Sequence, residues 1–180
     1  QLASGGDFNC GILTDSSLFC WGANYKGQIE YPEGSFKFVS SGHRHSCAID
    51  MSDQLDCWGN GDGVLAPSGE LFQHIDAANG YTCGVTLDGR ALCWGVNQFG
   101  QTDVPERSDF VKIDCGAGHT CAVTDNGEVL CWGRDFLGQA SPPSGNFQTV
   151  TCGWGHSCGV LVGGQGVCWG SNSDGKDKVP

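Results

Sequence analysis

One stretch, CGAGHTCAVTDNGEVLCWG from Cys115 to Gly133, is written five times along the chain with small changes. The other copies are SGGDFNCGILTDSSLFCWG from Ser4, SGHRHSCAIDMSDQLDCWG from Ser41, AANGYTCGVTLDGRALCWG from Ala77 and CGWGHSCGVLVGGQGVCWG from Cys152. Their closing tryptophans are Trp21, Trp58, Trp94, Trp132 and Trp169, a period of about 37 residues. A period that regular defines a repeat protein.

Each repeat reads as a series of short strands. The segments FKFVSS, FQHIDA, FVKIDC and FQTVTC, opened by Phe36, Phe72, Phe110 and Phe147, alternate apolar and β-branched residues and predict a first strand. Leu2 aligns with their Val39, Ile75, Ile113 and Val150, and only the first repeat lacks the opening Phe. A glycine-containing turn follows, then a second strand such as His119 to Thr124. The turn Asp125-Asn126-Gly127 offers residues that accept positive φ, and a third strand such as Val129 to Trp132 completes a hairpin. After Trp-Gly comes a loop of common outline, GANYKGQ, GVNQFGQ, GRDFLGQ and GSNSDGK, one residue shorter in repeat two. A short fourth strand and a Pro-containing connection are expected to lead into the next repeat.

With 30 glycines and 16% charged residues, the composition agrees with an all-β chain of short strands and tight turns. Four-stranded units repeated radially make a β-propeller. The prediction is one domain, 1–180, of five four-stranded blades over residues 1–35, 36–71, 72–109, 110–146 and 147–180. Pro180 aligns with Pro143 and Gln1 with Thr149, so the ends meet if the ring closes at five blades; five repeats from a longer array share that register.

The chain has 12 cysteines, a density and an even number that predict a disulfide framework in an oxidising, extracellular compartment. Ten of them pair across the hairpins at a fixed spacing: Cys10 with Cys20, Cys47 with Cys57, Cys83 with Cys93, Cys121 with Cys131, and Cys158 with Cys168. Cys115 and Cys152 remain, at one slot in successive repeats, and an interblade bond between them is expected. No cysteine pair has zinc-finger spacing, and no metal or cofactor is expected. The histidines at His45, His119 and His156 share their slot with Phe8 and Tyr81, which predicts a packing role. No nucleophile elbow, phosphate loop or paired carboxylate stands outside the repeat, so the chain is not read as an enzyme.

A net charge of −11 with 9 basic residues leaves no basic stripe to neutralise phosphates, which argues against nucleic acid. No apolar run approaches the roughly 20 residues of a membrane span. Gln1 suits a mature N-terminus from which a leader has been removed.

The string carried by Gly116, His119, Thr120, Ala122, Val123, Gly127, Val129, Trp132, Gly133, Gly138 and Gln139 resembles the repeat of the regulator of chromosome condensation family. The resemblance implies a propeller, and well-known members have seven blades. Functions in that family range from nucleotide exchange and chromatin docking to enzyme inhibition and receptor ectodomains, so fold alone does not choose among them. The paired cysteines are most similar to crinkly-type receptor ectodomains and other secreted members.

Positions that vary while their neighbours hold constant are free of packing constraints. One such set is the turn before the second strand, with Asp7, His43, Arg44, Asn79 and Trp154. The other is the loop after Trp-Gly, with the aromatic residues Tyr25, Phe99 and Phe136. These are the candidate binding residues. They predict a non-enzymatic extracellular module that takes a protein partner through one face. A sugar-binding propeller is the alternative, and an enzyme inhibitor or structural assembly unit a further one.

Overall fold

The computed structural model describes residues 1–175; the end of the fifth repeat, 176–180, with Lys176 of the loop pattern and Pro180, lies outside the described residues. The chain forms five three-stranded antiparallel sheets, each a meander in chain order. The first blade is β1 (Leu2–Ser4), β2 (Phe8–Ile12) and β3 (Leu18–Gly22), and the second is β4 (Phe36–Ser41), β5 (His45–Asp50) and β6 (Leu55–Gly59). The third is β7 (Phe72–Ala77), β8 (Tyr81–Thr86) and β9 (Ala91–Gly95). The fourth is β10 (Phe110–Cys115), β11 (His119–Thr124) and β12 (Val129–Gly133), and the fifth β13 (Phe147–Cys152), β14 (His156–Leu161) and β15 (Gly166–Gly170).

Three strands per blade correct the expected four. The segment that would supply the fourth carries Pro32, Pro67, Pro105 or the pair Pro142-Pro143, and it runs as turns and irregular backbone. Proline brings no N–H to a ladder, so pairing stops there.

The hairpin turns form for the reason the sequence suggests. Gly127 takes φ +83° and donates its N–H to Thr124 O at 2.9 Å. Where the turn lacks glycine, Ser16 and Asp53 adopt the same left-handed conformation at φ 69° and 67°. This register sets Cys121 opposite Cys131, and likewise in every blade. All five expected intrablade disulfides form, with Cα atoms 3.9–4.1 Å apart. Each closes a loop that the chain-entropy account values at roughly 2.5–3 kcal/mol.

The core lies between blades. Tyr81, Val85 and Ala91 of the third blade pack on Phe110, Ile113, Ala122 and Trp132 of the fourth, and Val123 and Val129 of the fourth on Phe147, Val150 and Trp169 of the fifth. A polar link runs through the same contacts. Trp58, Trp132 and Trp169 donate their indole N–H to the main-chain carbonyls of Gln28, Gln101 and Gln139 in the preceding blade, at 2.9, 2.9 and 3.0 Å. Each of these buried glutamines accepts, through its side-chain oxygen, the N–H two residues earlier, which shapes the loop that presents the carbonyl. The shorter second loop substitutes Gly63, in the 3-10 turn Asp62–Val64, whose carbonyl takes Trp94 Nε1 at 2.8 Å.

The first and last blades show what this contact contributes. Leu2 and Trp21 are 75% and 42% exposed, while their counterparts Val39 and Trp58 are 1% and 8% exposed. At the other end Cys158 and Val160 are half-buried where Cys121 and Val123 are buried. A ring closed at five blades would cover both faces, and among the described residues no hydrogen bond joins the fifth blade to the first. The five repeats form a propeller-like arc.

The asymmetry makes a prediction. Trp132→Phe removes an interblade bond and leaves Gln101 O with the Thr120 hydroxyl as its remaining donor, so it is expected to cost about 0.5–1.5 kcal/mol. Trp21→Phe has no such partner to lose and is expected to stay within about 0.5 kcal/mol of wild type. Urea unfolding of the oxidised protein measures both.

Candidate functional site

The two variable sets are contiguous. In every blade the residue after Trp-Gly donates its N–H to the turn before the second strand: Ala23 to Asp7 O, Asn60 to Arg44 O, Val96 to Gly80 O, Arg134 to Gly118 O and Ser171 to Gly155 O, at 2.8–2.9 Å. Turn and loop therefore build one face. At its centre lies a shallow depression of about 310 Å³, bordered by Gly5, Gly42, Ala78, Gly116, Gly153 and Trp154. The slot is small because neighbouring blades touch there: a Cβ on Gly42 would stand 2.2 Å from Ala78 O, and one on Gly116 2.6 Å from Gly153 O.

On one side of this face the structure brings together three of the sequence candidates around a residue of the variable loop that the sequence reading did not single out. The Arg134 guanidinium carbon lies 5.4 Å from the Phe99 ring, 5.5 Å from Phe136 and 5.3 Å from Trp154, so three blades contribute to one cation–π cluster. Phe99 and Phe136 meet edge to face at 6.3 Å. Trp154 is 70% exposed and Phe136 77%, with Phe99 and Leu137 also exposed. Arg134 occupies the slot held elsewhere by Ala23, Asn60, Val96 and Ser171. It stands in the variable loop two residues before Phe136, and nothing within one repeat marks its meeting with Phe99 and Trp154, which come from the neighbouring repeats.

The other side is polar. Tyr25 donates its hydroxyl to Asp7 at 2.5 Å, a bond that raises the phenol above its usual range, with Arg44 near enough to oppose the shift. His43, Arg44 and Asn79 are exposed around a small cleft shared with Asn60. Tyr25, Asp7, His43, Arg44 and Asn79 are not part of the Arg134 cluster.

Beneath the face the histidines act between blades. His45 Nε2 meets Thr82 Oγ1 at 2.7 Å and His119 Nε2 meets Ser157 Oγ at 2.8 Å, and both rings are fully buried. Burial lowers both to about 4. In the same slot Tyr81 donates to Gly116 O and His119 O. His119, Cys121 and Cys152 bring ligand-type atoms within 4.8 Å of one another. Cys121 is committed to its disulfide and His119 Nε2 to Ser157, so the trio has no metal-ready donor set.

Cys115 and Cys152 are thiols; the bridge expected between them is not formed. Equivalent strands place the two side chains in the same orientation around the axis. Cys115 Sγ faces Asp76 O at 3.5 Å and Cys152 Sγ faces Asp114 O at 3.4 Å, each toward the preceding blade instead of toward the other. The same two aspartates accept the cysteine N–H groups, Asp76 from Cys115 at 2.7 Å and Asp114 from Cys152 at 2.5 Å. Burial pushes Asp76 up to about 6; burial and then the Asp76 charge push Asp114 up to about 8.

Residues 1–28, 72–101 and 110–139 match the Regulator of chromosome condensation (RCC1) repeat. Three of the chain's five repeats, the first, third and fourth, are thus similar to that repeat. The chain is similar to the entire ectodomain of the Physcomitrella patens receptor kinase CR4, with 28% identity, a TM-score of 0.78, and coverage of 94% of this chain and 50% of that one. It is equally similar in fold to the CRINKLY ectodomain of the Arabidopsis thaliana receptor kinase ACR4, with 25% identity, a TM-score of 0.78, and coverage of 94% and 70%. A third relative is the serine/threonine-protein kinase-like protein CCR2 of Arabidopsis thaliana, 29% identical over 121 residues that cover 53% of this chain and 16% of that protein. The chain thus spans half of the CR4 ectodomain and a small part of CCR2. The ectodomain likeness and the five disulfides place it in an extracellular setting. Among the described residues no helix is long and apolar enough to cross a membrane.

The buried titrating groups predict a pH profile. His45 and His119 bind protons less readily folded than unfolded, so their contribution is lost as pH falls below about 6.5, toward 4. Asp114 has the opposite sign: its raised value favours the folded state at low pH and that advantage fades as pH rises through about 8. Stability is expected to fall by of order 1 kcal/mol between pH 6.5 and 8, and Asp114→Asn to flatten that limb. Thermal unfolding across the pH range reads both slopes.

Proposed function

We propose that the chain is an extracellular recognition module, without catalysis of its own, that binds a protein partner through the face carrying the variable turns and loops. The observation that supports this most is the exposed cluster of Phe99, Arg134, Phe136 and Trp154. Tryptophan and arginine dominate the energetics of protein interfaces, and a contiguous aromatic patch on an otherwise acidic surface is costly to leave bare. The two receptor ectodomains to which the chain is similar agree with a binding role.

The cluster is built once, not five times. Trp154 is replaced by Gly6, His43, Asn79 and Ala117 in the other blades, so the face has no set of repeated equivalent pockets of the kind a multivalent lectin uses. The buried histidines have Nε2 committed to hydroxyls of the next blade, which leaves them poor general bases.

Affinity capture from an extracellular extract on the oxidised protein, eluted first with mixed free sugars and then with acid, tests the reading. One or two proteins released only by acid, and lost on Trp154→Ala, are expected. Release of many unrelated glycoproteins by sugar would make the module a lectin and contradict it.

A further inference from the structure

We propose that the Arg134 cluster recognises an acidic side chain flanked by apolar residues in a segment of the partner polypeptide, an inference that rests on the protein-binding reading above. Arg134 belongs to none of the five ion pairs formed among the described residues. Its Nε is buried with no hydrogen-bond partner. The nearest carboxylate in sequence is turned away, since Asp135 accepts Ala140 N–H and Ser141 Oγ–H at 2.7 Å each within its own loop. Of the four arginines, Arg90 and Arg107 are ion-paired within the chain, while Arg44 and Arg134 are not.

Its surroundings define what would satisfy it. Phe99, Phe136 and Trp154 hold the guanidinium by their faces, which fixes the plane of the fork and lowers the local dielectric without supplying an acceptor. A carboxylate meets that need because two of its oxygens match the fork, and a charge-assisted pair of this kind is stronger where water is partly excluded. Around the cation the ligand meets apolar surface, with Phe136, Trp154 and Leu137 at 77%, 70% and 46% exposure. A lone acidic metabolite would leave those rings in water. A peptide with an acidic residue between large apolar ones would cover them. The cluster crosses three blades, so its geometry is fixed by the interblade contacts instead of by one mobile loop.

The test is a titration followed by NMR at the Arg134 Nε–H and the Trp154 indole N–H. The probes are the blocked peptide acetyl-Leu-Glu-Trp-Leu-amide, the same peptide with Gln for Glu, and glucuronate as an acidic sugar. The Glu peptide is expected to shift both signals saturably, with the Gln peptide at least tenfold weaker and glucuronate without saturation. Arg134→Gln is expected to abolish the Glu preference and Arg134→Lys to retain part of it. The side chain is half-buried, and unchanged indole signals of Trp58, Trp94, Trp132 and Trp169 report that each variant folds. Equal binding of Glu and Gln peptides, equal binding of glucuronate, or a Glu preference that survives Arg134→Gln would each overturn the proposal. A captured partner lost on Trp154→Ala but retained by Arg134→Gln would leave the protein-binding face standing and refute this inference alone.

Discussion

Each blade from the second to the fifth depends on the one before it through a tryptophan. The indole of the Cys-Trp-Gly motif lies on the preceding blade and delivers its N–H to a carbonyl that a buried glutamine, or Gly63 in the second loop, holds in place. Three strands joined by short turns cannot bury their own apolar faces, and the sandwich of Phe110, Ile113 and Trp132 against Tyr81 and Val85 shows where the burial occurs. The disulfides keep each hairpin in register, so that the indole arrives on the correct face. The histidines and Tyr81 repeat the arrangement nearer the axis, with a ring or hydroxyl of one blade bonded to the next.

This division of labour leaves the functional face free to vary. The core is spent between blades, so the turn before the second strand and the loop after Trp-Gly need only keep the glycines at points of close approach and one main-chain bond to each other. The rest of their side chains answer to solvent or to a partner. Arg134 and its aromatic neighbours are what that freedom produced in blades three to five, while Asp7, Tyr25 and Arg44 give the opposite side a polar character.

Much of the fold was legible in the sequence because the repeat writes each constraint five times. Cysteines ten residues apart across a turn can only be opposite one another in a tight hairpin, and all five pairs form. Features that depend on geometry between blades were less legible. Cys115 and Cys152 share a slot in adjacent blades, and equivalence suggests proximity; it also makes the two side chains parallel, each facing the preceding blade. The fourth strand fails for a local reason: in the first four repeats the segment that would form it carries proline, as at Pro32 and Pro105, which brings no N–H to a ladder. Trp154, Phe99 and Phe136 were singled out one by one, but their convergence on Arg134 joins three repeats and no single-repeat pattern contains it.

Hydrogen exchange of the tryptophan indoles tests the central claim most directly, that blades are locked by the indole-to-carbonyl contact. Under native conditions, with the disulfides intact, the indoles of Trp58, Trp94, Trp132 and Trp169 should exchange slowly and together, while Trp21, on the uncovered face of the first blade, should exchange at the rate of a solvent-exposed side chain. Equal and rapid exchange at all five would mean that the blades are held by their apolar faces alone and that the contact described here does not organise the fold.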